Sequence, residues 1–286
     1  MRTLTPPNPD LFTINPGEPR LEFTFNRWVY SKIQHSTQKA KDMDDKENII
    51  ETFTELAPRY EEVVNAELNR FWGWSYVGFV NQLIEVTPFP EKGRMLDLAT
   101  GTGVIPIKVA TDGLRESRIH GLDITMSMLS RARQKMASDH FQSHIDLVCA
   151  SAMDIPYKNE SFNLVTCALA THHMDVKLLL SETWRVLSEE GILSIADVGG
   201  SSLWKLPVVK LLLRFAAFVY FLFTENFNRA WAEAGAVSNV RSKEEWSDLL
   251  IETGFRNIKI TKLKSKYRLV PEPLVIQAIK SKSGGS

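Results

Sequence analysis

The stretch LDLATGTGV, residues 96–104, constrains the fold more than any other part of the chain. It opens as an apolar run suited to a buried strand, carries an acid, Asp97, inside that run, and ends on a turn through Gly101 and Gly103. The helical stretch VIPIKVATDGL follows at once, so the segment reads as strand, tight turn and helix. The alternation then repeats. RMLDLA, RIHGLDI, HIDLVCA, FNLVTCALA and GILSIADV read as buried strands, with TMSMLSRARQKMA and VKLLLSETWRVLSEE as further helices among them. Short apolar strands alternating with helices predict an α/β fold whose mainly parallel sheet is covered on both faces.

Punctuation along the chain sets the remaining expectations. Residues 48–86 are helical in pattern, as IIETFTELAPRYEEVVNAEL and RFWGWSYVGFVNQLIEV, with Pro58 placed to break or kink the first. TPFPEKG (87–93) is a linker, and Gly191 is a candidate stop for the helix before it. SKEEWSDLLIETGF carries Ser242 and Glu245 at capping-box spacing and Gly254 at the C′ position. RNIKITKL and PLVIQAIK are two strands expected to pair as a hairpin at the sheet edge. Prolines make 1–47 an extended arm, 48–280 is one domain with a helical cap at 48–90, and 281–286 is a flexible tail. With Lys+Arg and Asp+Glu both at 34, net charge gives no support to a dedicated polyanion binder. Cys149 and Cys167 lack metal-ligand spacing and sit in strand-like runs, so buried thiols in a reducing, cytoplasmic setting are expected.

In open α/β sheets, ligands bind beyond the carboxyl ends of the strands, where strand order reverses. Asp97 near the end of the first strand can point there, and the two glycines let a ligand approach the backbone. Asp123, twenty positions beyond Gly103, ends the second strand, where an acid can accept from two vicinal ribose hydroxyls. A dinucleotide fingerprint would want a third glycine where this chain has Pro106, and its diphosphate would avoid Asp97. A nucleoside carrying an ammonium and a sulfonium would welcome that acid. S-adenosylmethionine is such a ligand.

LDLATGTG, GLDITMSMLSRAR, SAMDIPYKNESFNLVTCALATHHM and ETWRVLSEEGIL resemble the successive motifs of class I S-adenosylmethionine-dependent methyltransferases. Among these the chain, over about 48–280, is most similar to the small-molecule branch that includes the ubiquinone/menaquinone biosynthesis enzymes. The resemblance implies a Rossmann-like, mainly parallel seven-stranded sheet with an inserted helical lid near 200–240. It implies that Tyr60 lies over the cofactor and that Asp97 holds the amino end, with Ala99, Thr100, Gly101, Thr102 and Gly103 forming the loop. Asp123 would take the ribose and Ile124 would pack on one face of adenine, with Ser151, Ala152 and Met153 along its edge; Met128 and Ala168 are the remaining cofactor-binding candidates. Many relatives carry Asp or Asn where this chain has Ser151, and Ala99 replaces the glycine of the broader class.

Methyl transfer needs alignment, a dry pocket and, for some acceptors, a base. His172 and His173, after the fourth strand, are the catalytic candidates, since an imidazole titrates near neutrality. Quinone-modifying relatives have an Arg-Asn pair where this chain has Thr171 and His172, so the base or the substrate differs here. Asp197, ending the fifth strand, is placed to orient a histidine or the substrate, or to cap a turn. Adjacent histidines point apart in most backbone geometries, so no metal site is expected.

LWKLPVVKLLLRFAAFVYFLF (203–223) has three readings: a lid over an apolar acceptor pocket, a face dipping into a membrane surface, or core or homodimer contact. Lys210 and Arg214, four apart, share one face of such a helix. RFWGWSY (70–76) is a candidate for the pocket wall. The expected activity is methylation of a small lipophilic acceptor, a quinone-like or phenolic ring, at carbon or oxygen. The alternatives are N- or O-methylation of another metabolite, or a cofactor-binding regulatory protein without transfer activity. No basic tract or base-methylation signature points to nucleic acid.

Overall fold

A computed structural model describes residues 46–282 except 91, 113–116, 139–143 and 268–269. The chain divides into two units, 1–47 and 48–286. The expected arm and the end of the expected tail lie outside the described residues, apart from 46–47 and 281–282.

Helix α1 covers 46–56. Pro58 then forces a 3₁₀ turn, Ala57–Arg59, before α2, Tyr60–Trp72. The break that ends α2 falls at Gly73, whose φ of +78° supplies the left-handed C′ position. Ser75 caps α3, Tyr76–Val86, accepting from the Gly78 N–H. Then come β1 (Arg94–Leu98), α4 (Val104–Thr111), β2 (Arg118–Asp123), α5 (Met126–Ser138), β3 (Ile145–Cys149), β4 (Phe162–Ala168), α6 (Val176–Val186) and β5 (Leu187–Asp197). The chain closes with α7 (Pro207–Thr224), α8 (Phe227–Ala236), α9 (Lys243–Thr253), β6 (Phe255–Lys262) and β7 (Leu274–Lys280).

The seven strands form one sheet in the order β3-β2-β1-β4-β5-β7-β6. The first five are parallel, and β7 runs antiparallel to both β5 and β6. The expected hairpin pairs as read, but β7 slots in beside β5, and of these two strands β6 alone lies at an edge. Strand order reverses between β1 and β4, which opens the ligand crevice beyond their carboxyl ends. Alternation along β1 feeds two cores. Leu96 and Leu98 pack toward α6 and α9 with Leu180, Trp246 and Leu250, while Met95 packs with Phe79 and Leu83 of α3 and Ile105 of α4. The capping box of Ser242 and Glu245 is formed, and Gly254 (φ +101°) ends α9.

Two local expectations are corrected. The helix before Gly191 stops at Val186, and residues 187–190 already belong to β5, where Leu187 pairs with Phe162. Strand pairing claims the residues that the glycine was expected to terminate. Cys167 is buried, but Cys149 is exposed because it ends β3, the edge strand.

Candidate active site

The turn after β1 is tied down on three sides. The Thr100 N–H donates to the Leu122 carbonyl (2.9 Å), and the Gly101 N–H donates to Asp123 Oδ2 (2.8 Å). Asp123 Oδ1 accepts from the Thr125 N–H (2.8 Å), so one carboxylate joins the end of β2 to the turn and to the start of α5. Gly101 (φ +55°) and Gly103 (φ +79°) use the left-handed region, and so does Ala99, at φ +50°. A Cβ on Gly103 would lie 3.0 Å from Ala132 Cβ, and one on Gly101 would lie 3.8 Å from the Tyr60 ring. Tyr60 at the head of α2 therefore covers the turn. Its α2 neighbour Glu61 accepts from Thr102 Oγ1 and pairs with Lys135 of α5, which fastens the cap to the turn.

Asp97 is 1 % exposed, and its oxygens accept from Thr100 Oγ1 (2.7 Å) and Thr166 Oγ1 (2.6 Å). Its carboxylate thus lies behind the turn and is already hydrogen-bonded, where the sequence pointed it into open crevice. Burial raises its pKa to about 7 against the lowering pull of the two threonines. Burial also raises Asp123, opposed by its backbone donors. Ile124 follows Asp123 and is half-buried, and Met128 on α5 is buried. Ser151 Oγ accepts from the Met153 N–H (3.2 Å), Ala152 is buried between them, and Ala168 ends β4.

A cavity of about 430 Å³ borders Tyr60. Phe71 and Trp72 of α2, Leu213, Ala217 and Phe221 of α7, and Val237 form apolar wall, so part of the RFWGWSY stretch does line it. His172 and His173 reach it from the 3₁₀ turn Thr171–His173 after β4. Both rings face the same space, with centroids 4.3 Å apart, contrary to the expectation that neighbouring histidines diverge. Two carboxylates hold them there. Asp197, at the end of β5, accepts from His172 Nδ1 (2.7 Å), the His172 N–H (3.3 Å), Thr171 Oγ1 and the Val198 N–H (2.7 Å). Since a carboxylate only accepts, His172 carries its proton on Nδ1 and keeps Nε2 for the cavity. On the other side, His173 Nε2 lies 3.5 Å from Glu233 Oε1 on α8.

The two rings titrate in opposite directions. Burial pulls His172 down, but the Asp197 carboxylate outweighs it and raises the pKa above 6.5. Burial and then the neighbouring His172 lower His173 below 6.5, against the pull of Glu233. Titratable pairs pushed apart in this way mark acid–base sites.

Sequence reasoning missed the group beneath them. Arg229 of α8 is buried, with its Nη2 3.2 Å from Glu67 of α2 and 3.1 Å from Glu233, and its guanidinium lies over the rings of Phe53 and Phe221. Burial raises Glu67 to about 7 despite Arg229. Arg229 and Glu233 are four apart in the alanine-rich run FNRAWAEAGA, which signals a shared helix face, but nothing local shows that this face is buried. His172, His173 and Glu233 bring ligand atoms within 4.8 Å of one another, a spacing a metal ion can use. The Glu233 oxygen nearest His173 is also the one held by the Arg229 cation, which opposes a second positive charge there.

Residues 96–195 match a family pattern described as a methyltransferase domain. The chain is 28% identical over 232 residues to demethylmenaquinone methyltransferase of Lactobacillus johnsonii, covering 76% of this chain and 88% of that one. It is 31% identical over 155 residues to a ubiquinone/menaquinone biosynthesis C-methyltransferase of Geotalea daltonii, covering 53% of this chain and 63% of the relative. Geranyl diphosphate C-methyltransferase from Streptomyces coelicolor shares the fold, with a TM-score of 0.56 at 14% identity over 77% of this chain and 84% of its own.

Proposed function

We propose that the chain is a class I S-adenosylmethionine-dependent methyltransferase and that it methylates a ring carbon or oxygen of a lipophilic acceptor carrying an acidic hydroxyl. The observation that carries this reading is the Asp197–His172 pair (2.7 Å) at the wall of an apolar cavity bordered by Tyr60.

The residues at the strand ends fit the cofactor. Two buried carboxylates with raised pKa values, Asp97 and Asp123, favour a ligand that brings positive charge and hydroxyl donors. Gly101 leaves the space under the Tyr60 ring that a side chain would take. Asp97 would hold the amino end through Thr100 and the turn, Asp123 the ribose, and Ile124 and Met128 the adenine. S-adenosylmethionine supplies a methyl group made electrophilic by its sulfonium.

The protein's share is alignment and one proton. His172 Nε2 accepts the proton of the acceptor hydroxyl, which places electron density on the ring oxygen and the carbons conjugated with it. Asp197 fixes the imidazole's tautomer and stabilises the imidazolium that forms, in a role like that of the acid in a Ser-His-Asp triad. The aromatic and aliphatic walls exclude water, so the reacting pair is not diluted by solvent. Relatives named for demethylmenaquinone and ubiquinone/menaquinone support a quinol-like ring. By the resemblance drawn from the sequence, His172 stands where quinone-modifying enzymes carry part of an Arg-Asn pair, which fits an acceptor related to theirs but not the same.

Labelled cofactor supplied with a panel of prenylated and plain quinols, phenols and aliphatic amines tests the proposal. Turnover on quinols or phenols, rising with pH through a value above 6.5, is expected. Turnover on amines alone, or tight cofactor binding with no transfer to any member, overturns it.

A further inference from the structure

We infer that the outer face of α7 and the start of α8 form a docking surface for an anionic lipid membrane, beyond the transfer activity proposed above. Helix α7 has two apolar faces with different fates. Leu213, Ala217 and Phe221 turn inward onto the cavity. Val208, Leu211, Leu212 and Phe215 turn outward, with exposures from 63% at Leu212 to 69% at Val208, and Phe223 is 85% exposed. Phe227 and Trp231 on α8 extend the same surface. A contiguous apolar surface of this size on a soluble protein marks an interaction site.

Charge selects the occupant. Lys210 and Arg214 are the only charged residues of α7, and neither is ion-paired among the described residues. Arg214 is exposed and borders the outward stripe, while Lys210, one turn earlier, is half-buried on the edge nearer the cavity; from that flank long basic side chains can reach lipid headgroups while the stripe sinks below them. A second copy of the chain fits less well. A two-fold contact sets the same patch against itself and brings these cations together with no acid of α7 to meet them. The helix is 18 residues long with mean hydropathy 1.7, about 27 Å end to end. Its inner face is committed to the cavity, so it lies on the bilayer rather than crossing it. The arrangement sets one wall of the cavity against the lipid phase, and a lipid-tailed acceptor would pass between the two without crossing water.

The test is vesicle flotation of the full chain, without cofactor or acceptor, so it does not depend on the transfer reading. Vesicles of phosphatidylcholine alone are compared with vesicles that also contain phosphatidylglycerol. The wild type should bind the anionic vesicles about tenfold more tightly at low salt. The double variant Leu212→Glu/Phe215→Glu should lose binding to both, with its thermal melt showing that it is folded. Lys210→Gln/Arg214→Gln should lose only the anionic preference, and serves as the second test if the first variant does not fold. Failure of the wild type to bind either vesicle overturns the inference, as does unchanged binding by both variants. So does light scattering that shows a dimer which Leu212→Glu/Phe215→Glu converts to monomer, since the face then belongs to a second copy.

Discussion

The glycine turn after β1 and the lid built from α7 and α8 both border Tyr60, but they are assembled by different means. The turn is held by short-range bonds among neighbouring strand ends: Thr100 to Leu122, Gly101 to Asp123, Asp97 to Thr100 and Thr166. The lid is held by charged side chains from distant parts of the chain, such as Arg229 and Glu67, 162 residues apart. A site for an invariant nucleoside can be built into backbone and strand register. The half that receives the variable partner rests on side chains of inserted helices, which can change without disturbing the sheet. The teaching is that the two halves should be separable by mutation.

The largest expected effect tests that separation directly. His172→Gln should lower turnover on the order of 10²–10⁴-fold, the span of general-base contributions, while leaving cofactor affinity by calorimetry unchanged. A parallel loss of cofactor affinity would break the comparison. Asp123→Ala should do the reverse. Cofactor binding should weaken by about 1–3 kcal/mol, since the ribose hydroxyls and the Gly101 N–H all lose an acceptor. The pH profile of turnover on saturating cofactor should keep its acid limb, because His172 sets it.

Asp97 sharpens the picture through proton release. Its folded pKa of about 7 lies above the ordinary carboxylate value. In cofactor-free protein its contribution to stability is fully present below that ordinary value and is lost as pH rises through about 7. A cationic ligand favours the ionised form, so cofactor affinity should rise with pH up to about 7 and binding should release protons. Calorimetry in buffers of different ionisation heat would show this, and Asp97→Asn should flatten the dependence. The smallest effect belongs to the turn alone. Ala99→Gly relieves a residue at φ +50° and should stabilise the protein by about 0.5 kcal/mol, after the extra freedom glycine gains in the unfolded chain.

What could be read in the sequence follows the same division. The strands, the turn and Asp97 with Asp123 are legible because each signal is local: apolar alternation, glycines at a strand end, an acid at the next one. The break at Pro58, the capping box at Ser242 and the C′ glycine at 254 are legible for the same reason. Legibility fails where a distant partner decides. Gly191 looks like a helix stop, but pairing of Leu187 with Phe162 draws the preceding residues into β5. The two histidines look divergent until Asp197 and Glu233 pull them onto one cavity. Glu67, Arg229 and Glu233 carry no local mark of burial, because a charged helix face reads as solvated until the helix that covers it is known.

Polar contacts that join the cap to α7 and α8 include Arg59 with Glu225, Glu55 accepting from Asn226 (3.1 Å), and Glu67 with Arg229 (3.2 Å). The last of these shares its guanidinium with Glu233, the carboxylate beside His173. A substitution that shifts α8 would therefore disturb two things at once, the ion pair that fastens the cap and the carboxylate beside His173.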